Sequence, residues 1–188
     1  AGVDVFGKKV NPDKVKHVIF RFGRNLVISE DGRKLAQKTA DGLKNIKFDY
    51  IFSSPLERAY ETACIIRGSR DTEIVKDERL IEIGFGLYEG TVVEERKGSI
   101  ALFFDDPQNY VAEKGAESYE SLLARTKAFI ENVLFPIEEN KSDATVLISG
   151  HGALNKALFL HLLHKQLKDF WSGVYQGNCV VNNFEIKN

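Results

Sequence analysis

Short apolar runs alternate with helix-length amphipathic segments along nearly the whole chain, and few folds accommodate that pattern. Val18-Ile19-Phe20, Tyr50-Ile51-Phe52, Thr72 to Val75, Ala144-Thr145-Val146-Leu147-Ile148 and the stretch around Cys179 to Ile186 have strand character. Gly32 to Leu43, Ser54 to about Arg67, Glu117 to Leu134, Ala153 to Leu163 and the overlapping Lys156 to Trp171 have helical character. Ser54-Pro55-Leu56-Glu57 reads as a capping box with Pro55 at the first helical position. Strands separated by helices are joined by crossovers, which predicts an α/β three-layer sandwich: a mainly parallel central sheet with helices on both faces. No repeat, low-complexity stretch or linker interrupts the pattern. The 188 residues, 43% hydrophobic and 28% charged, are therefore expected to form a single domain over 1–188.

Composition excludes several function classes. A formal net charge of -1 gives no electrostatic footprint for nucleic acid, so any anion site must be a local cluster of arginines. No apolar run approaches membrane-spanning length, and Ala1-Gly2-Val3-Asp4 lacks a basic-then-apolar pattern. The expectation is a soluble, cytoplasmic chain with neither nucleic-acid nor membrane partners, for which a homodimer is an allowed assembly. Cys64 and Cys179 have no metal spacing and read as small buried apolar residues.

The candidate chemistry lies at the ends of the predicted strands. Ile148-Ser149-Gly150-His151-Gly152 puts a histidine between glycines where a strand passes into a helix, the position at which open α/β sheets bind ligands. Phe20 is followed by Arg21, and Phe52 by Ser53-Ser54 and then Arg58. If these strands are parallel neighbours, their carboxyl ends bring two guanidinium groups, two helix N-termini and one imidazole into one crevice, a setting suited to phosphate. The bland alternatives are a solvated loop histidine at 151 and a surface Arg58 paired with Glu57 or Glu61.

Further along, Leu80-Ile81-Glu82-Ile83-Gly84-Phe85-Gly86-Leu87-Tyr88-Glu89-Gly90 combines glycines with two carboxylates. A glutamate against an apolar wall can have its pKa raised enough to act as a general acid. Glu82, between Ile81 and Ile83, suits that role better than Glu89, and the ordinary alternative for either is a solvated or turn-capping carboxylate. His161 and His164 are three apart in a helical pattern, but leucines between them indicate packing, and no metal is expected.

Taken together these segments resemble the histidine phosphatase superfamily, in the branch of cofactor-dependent phosphoglycerate mutases and their small phosphatase relatives. Ile28-Ser29-Glu30-Asp31-Gly32-Arg33-Lys34-Leu35-Ala36, Ser53-Ser54-Pro55-Leu56-Glu57-Arg58-Ala59 with Thr62-Ala63, Leu80-x-Glu82 with Gly86-x-x-Glu89-Gly90, Gly115-x-Glu117-Ser118 and Ser149-Gly150-His151-Gly152 follow the family order. The resemblance implies hydrolysis of a small phosphorylated metabolite through a phosphohistidine, without cofactor or metal. It assigns phosphate binding to Arg21, Arg58 and His151, stabilisation of the transferring group to His151, and protonation of the leaving oxygen to Glu82. Phosphate ester or inorganic phosphate is the implied partner. A short lid insertion around 90–115 favours an open phosphatase site over the enclosed site of a mutase.

One position departs from the family. Its attacking histidine belongs to an arginine-histidine-glycine triplet after the first strand, where this chain reads Arg21-Phe22-Gly23. Phenylalanine cannot be phosphorylated, and His17 stands at the other end of a strand that rises roughly 3.3 Å per residue. The chain is then an inactive relative that binds phosphate esters, or carries a substitution at Phe22, or lacks a segment between Phe20 and Ile28 that held the true triplet. The unusually short interval to Ile28-Ser29-Glu30 and the complete absence of methionine favour the last. In that case Arg21 is not the phosphate arginine.

Overall fold

The computed structural model describes residues 27–91, 98–113, 115–173 and 177–185. The expected strand at 18–20, His17, Arg21 and Phe22 lie outside the described residues.

Three parallel strands form the described sheet: β1 (Tyr50–Ser53) in the centre, β2 (Ile74–Lys76) on one side and β3 (Val146–Ser149) on the other. Register explains the layering. Ile51 stands opposite both Ile74 and Leu147, and Phe52 opposite Ile148. Successive strand residues point to opposite faces. Ile51, Ile74 and Leu147 accordingly join Phe48, Ala63 and Ile66 in one core, while Phe52 and Ile148 join the larger core on the other face. Helices cover both faces, so the sheet is the middle of three layers as expected.

On the first face lie α1 (Glu30–Gly42) and α2 (Glu57–Arg67), packed on each other. Ser29 caps α1 by accepting a hydrogen bond from the Gly32 amide at 3.1 Å. The predicted capping box at α2 does not form. Leu56 occupies the cap position without a side-chain bond, and Pro55 lies before the helix. Ser54 is held as an extension of β1, its amide donating to the Ser149 carbonyl at 2.9 Å, so among backbone amides its hydroxyl accepts from Leu56, at 3.2 Å, rather than from the third residue of the helix.

On the second face, α4 (Tyr119–Phe129) packs against α6 (Gly152–Leu162), and α3 (Ser99–Asp105) contributes Ile100 and Phe103 to the core. The helix predicted over 117–134 begins later and runs further. Ser118 caps it, a wide π turn spans Ile130–Leu134, and α5 (Phe135–Asn140) completes it. Pro136 has no amide hydrogen to give to an i−4 carbonyl, and a widened turn just before it absorbs that mismatch. Phe103 is fully buried and stacks on Tyr119 at 5.0 Å, with Phe85, Tyr110 and Trp171 rings edge-on at 5.1–5.3 Å. Burial of one such ring contributes about 1.5–3 kcal/mol. The described part of the 90–115 insertion is thus anchored to the core through Phe103.

The C-terminal expectations need two corrections. The helical pattern to Trp171 breaks at Leu162, where His164 adopts φ 49 and the Lys165 amide donates back to the Leu160 carbonyl at 2.9 Å. That is a Schellman ending, with His164 in the left-handed position. Residues 179–185 form no strand: Cys179 turns the chain at φ 55, its carbonyl accepts from the Thr39 hydroxyl at 3.1 Å, and Phe184 stacks on Phe159. Both cysteines are half-buried rather than buried.

Candidate active site

The carboxyl ends of β1 and β3 are neighbours, with Ser53 in register with Ser149. Ser149 also donates its hydroxyl to the Ala59 carbonyl at 2.8 Å, which ties the first turn of α2, and with it Arg58, to the end of β3. Two residues on, His151 Nε2 lies 2.8 Å from Ser54 Oγ. Both side chains are buried, Ser54 at 0% and His151 at 8% exposure, so His151 is not a solvated loop residue. Gly150, between Ser149 and His151, lets the Asn155 and Leu154 side chains approach closely: a Cβ there would lie 2.7 Å from both Asn155 Oδ1 and Leu154 Cδ2, which would have to move.

Glu82 meets the same strand-to-helix turn at the head of α6. Its Oε1 accepts hydrogen bonds from the Ile83 and Leu154 amides, each at 3.0 Å, and Oε2 accepts from Ala153 at 3.3 Å. The carboxyl therefore caps α6, whose cap residue is His151. This corrects one expectation. Two of the first amides of α6 face a side chain of the protein itself, so that helix end has less to offer an anion than the sequence pattern predicts.

Burial pushes the Glu82 carboxyl above the ordinary glutamate range, against the opposing pull of its three amides and of the Arg58 charge. Burial likewise pushes the Arg58 guanidinium below its ordinary value, with Glu82 and then Glu89 opposing. Arginine stays charged under such shifts. Arg58 thus sits in the field of two carboxylates, and Glu61, one of the partners its surface reading required, is paired instead with Arg33. Glu89 takes the turn-capping role, its Oε1 accepting from the Phe85 amide at 2.9 Å.

The structure therefore brings Arg58, Glu82 and His151 to one neighbourhood, while Arg21 lies outside the described residues. His161 and His164 belong elsewhere: His161 Nε2 faces the Leu123 carbonyl at 3.0 Å, and His164 stands beyond the helix end. Among the described residues no three histidine, cysteine, aspartate or glutamate side chains gather as metal ligands. No helix among them is long and apolar enough to cross a membrane. Sequence reasoning missed Ser54 as the partner of His151. It also missed Arg125, whose signal was an arginine eight residues after Glu117, one helical face away from it.

Comparison with known proteins decides the family. The profile of the histidine phosphatase superfamily, branch 1, matches residues 13–188. The chain belongs to the histidine phosphatase superfamily. Phosphoserine phosphatase 1 of Hydrogenobacter thermophilus is 34% identical over 151 residues, which are 77% of this chain and 68% of that protein. Fructose-2,6-bisphosphatase TIGAR of Xenopus tropicalis is 34% identical over 137 residues, 69% of this chain and half of the relative's length. Among solved structures, Bacillus stearothermophilus YhfR superposes with a TM-score of 0.72 at 27% identity, covering 85% of each chain. The sandwich described above is thus the phosphoglycerate mutase-like fold, and this chain is an enzyme of the histidine phosphatase family.

Proposed function

We propose that this histidine phosphatase hydrolyses a small phosphomonoester without a metal, with Arg58 and His151 holding the transferring phosphoryl group and Glu82 protonating the leaving oxygen. The observation that carries the reading is the convergence of a partly buried arginine, a buried histidine and a carboxyl of raised pKa at the ends of two adjacent parallel strands. A transferring phosphoryl group spreads negative charge over its equatorial oxygens, which guanidinium and imidazole N–H groups stabilise. The departing alkoxide needs a proton. Oε1 of Glu82 accepts two short bonds and Oε2 one longer one, so Oε2 is the oxygen suited to carry that proton. The relatives named for phosphoserine and fructose 2,6-bisphosphate support a compact, polar phosphorylated metabolite as substrate.

Phosphohistidine chemistry needs an attacking histidine, and Phe22 favours a second reading: a protein that binds phosphate esters without turning them over. Two measurements separate the readings. Hydrolysis of a generic aryl phosphate at mildly acidic pH, undiminished by chelator, is expected of the enzyme. Fragment-ion sequencing of the peptide from His17 to Arg33 then shows whether an arginine-histidine-glycine triplet precedes Arg21. Absence of both hydrolysis and triplet leaves the binder.

A further inference from the structure

The Gly115-x-Glu117-Ser118 motif has no role in the chemistry above, although Glu117 makes one of the few well-buried ion pairs described. Arg125, on the second turn of α4, grips the Glu117 carboxylate with Nε at 2.7 Å and Nη2 at 3.1 Å. The third guanidinium nitrogen, Nη1, donates to the Arg79 carbonyl at 2.7 Å. Glu117 in turn holds the Gly84 peptide from both sides: its amide donates to the Gly84 carbonyl at 2.7 Å, and Oε2 accepts from the Gly84 amide at 3.2 Å. One ion pair therefore fixes residues 79 and 84, the two ends of a six-residue stretch. In that stretch Leu80 and Ile83 are buried in the core and Glu82 projects to the N-terminus of α6.

The side chains of Arg125 and Glu117 are 18% and 13% exposed, so the pair is shielded from water and its forked geometry is stiff. Ser121 adds a fourth contact, its hydroxyl donating to Glu117 Oε1 at 3.2 Å. Burial raises the Glu117 pKa, but the Arg125 fork together with the Gly84 amide and the Ser121 hydroxyl more than reverses this, so the carboxylate stays ionised and the clamp closed at neutral pH.

We propose that Glu117 and Arg125 are positioning residues whose ion pair holds the 79–84 segment so that the Glu82 carboxyl stays against the first amides of α6, beside His151. The idea rests on the reading of Glu82 as proton donor, and its consequence is specific. Loosening the clamp displaces the donor and leaves the phosphate-binding groups in place. In the step concerned a bond forms between phosphorus and the attacking histidine nitrogen that the proposed mechanism requires, the P–O bond to the leaving group breaks with its electron pair staying on the leaving oxygen, and the Oε2 proton of Glu82 passes to that oxygen. A nitrophenolate leaves readily without that proton, whereas an alkoxide does not.

The test compares wild type, Arg125→Lys and Arg125→Ala, with Glu82→Gln as reference. NMR follows the titration of the Glu82 carboxyl carbon and the amide signals of Ala153 and Leu154, readouts that need no turnover. In Arg125→Ala the Glu82 titration is expected to move down toward the ordinary glutamate range as water reaches the carboxyl, and both amides shift. Arg125→Lys, which keeps one bond of the fork, falls between and serves where Arg125→Ala does not fold. In turnover, Arg125→Ala is expected to lose about tenfold or more on an alkyl phosphate and less than about twofold on nitrophenyl phosphate. A lowered melting temperature with the Glu82 titration and both amides unmoved would overturn the proposal, leaving a purely structural ion pair. If Glu82→Gln itself loses equally on the two substrates, the donor assignment fails instead, whatever Arg125 does to the titration.

Discussion

Arg58→Ala is expected to lower kcat/KM for phosphate esters by about 10³-fold or more, the range seen when a cationic group that stabilises a transferring phosphoryl is removed. The magnitude follows from where the guanidinium sits. It is partly buried at the second position of α2, and in the proposed role its fork would meet phosphate oxygens with little competition from water. Arg58→Lys keeps the charge but loses the planar fork, so only part of the activity returns. Removal of Arg58 also leaves the carboxylates of Glu82 and Glu89 without the cation whose field both share. Arg58 opposes the effect of burial on Glu82, so the Glu82 titration moves further upward in Arg58→Ala. Steady-state kinetics with a competitive phosphate series checks the prediction, and retention of activity within about tenfold of wild type would remove Arg58 from the site.

The second large effect is at Glu82, where two substitutions separate chemistry from architecture. Glu82→Gln keeps a carbonyl oxygen for the Ile83 and Leu154 amides but carries no acidic proton, and turnover of an alkyl phosphate is expected to fall about 10²–10⁴-fold with the melting temperature nearly unchanged. Glu82→Ala loses the same activity and also uncaps α6, at a further cost of about 0.5–2 kcal/mol in stability. The pH dependence has a definite sign. Because burial raises the folded-state pKa, the protonated donor persists above the ordinary glutamate range, and activity declines as pH rises through the raised value. The same shift favours folding fully below the unfolded-state pKa, and that contribution is lost as pH rises through the folded-state pKa. A pH–rate profile whose alkaline limb disappears in Glu82→Gln is the expected signature.

Much of this site was legible in the sequence because its groups hang on strong local signals. A short apolar run ending in Ser149-Gly150-His151-Gly152 can hardly be anything but a strand-to-helix turn, and Ser53-Ser54 before Pro55 marks a second one. Strand pairing was not legible, since Ile51 and Leu147 meet only through a crossover of nearly a hundred residues. The cap of α2 was misread because the residues Ser54-Pro55-Leu56-Glu57 fit a capping box locally, while the bond from the Ser54 amide to Ser149 holds that serine in the strand. The helix after Ser118 runs beyond the expected end at Leu134 because a π turn takes the chain past Pro136, which apolar periodicity does not reveal. His164 ends α6 although leucines suggest continuation, its left-handed backbone being a consequence of the turn toward Lys165 rather than of its residue type. Glu82 was recognisable as a candidate from its apolar neighbours, but its place at the head of α6 depends on the distant Glu117–Arg125 pair.

A crystal structure with orthovanadate, a phosphoryl-transfer mimic, tests the convergence of Arg58, Glu82 and His151 most directly. The expected result is one vanadate with its equatorial oxygens about 3 Å from Arg58 nitrogens and a His151 ring nitrogen, and with Glu82 Oε2 facing its apical oxygen. Vanadate bound in another cavity, or touching none of the three, would contradict the assignment.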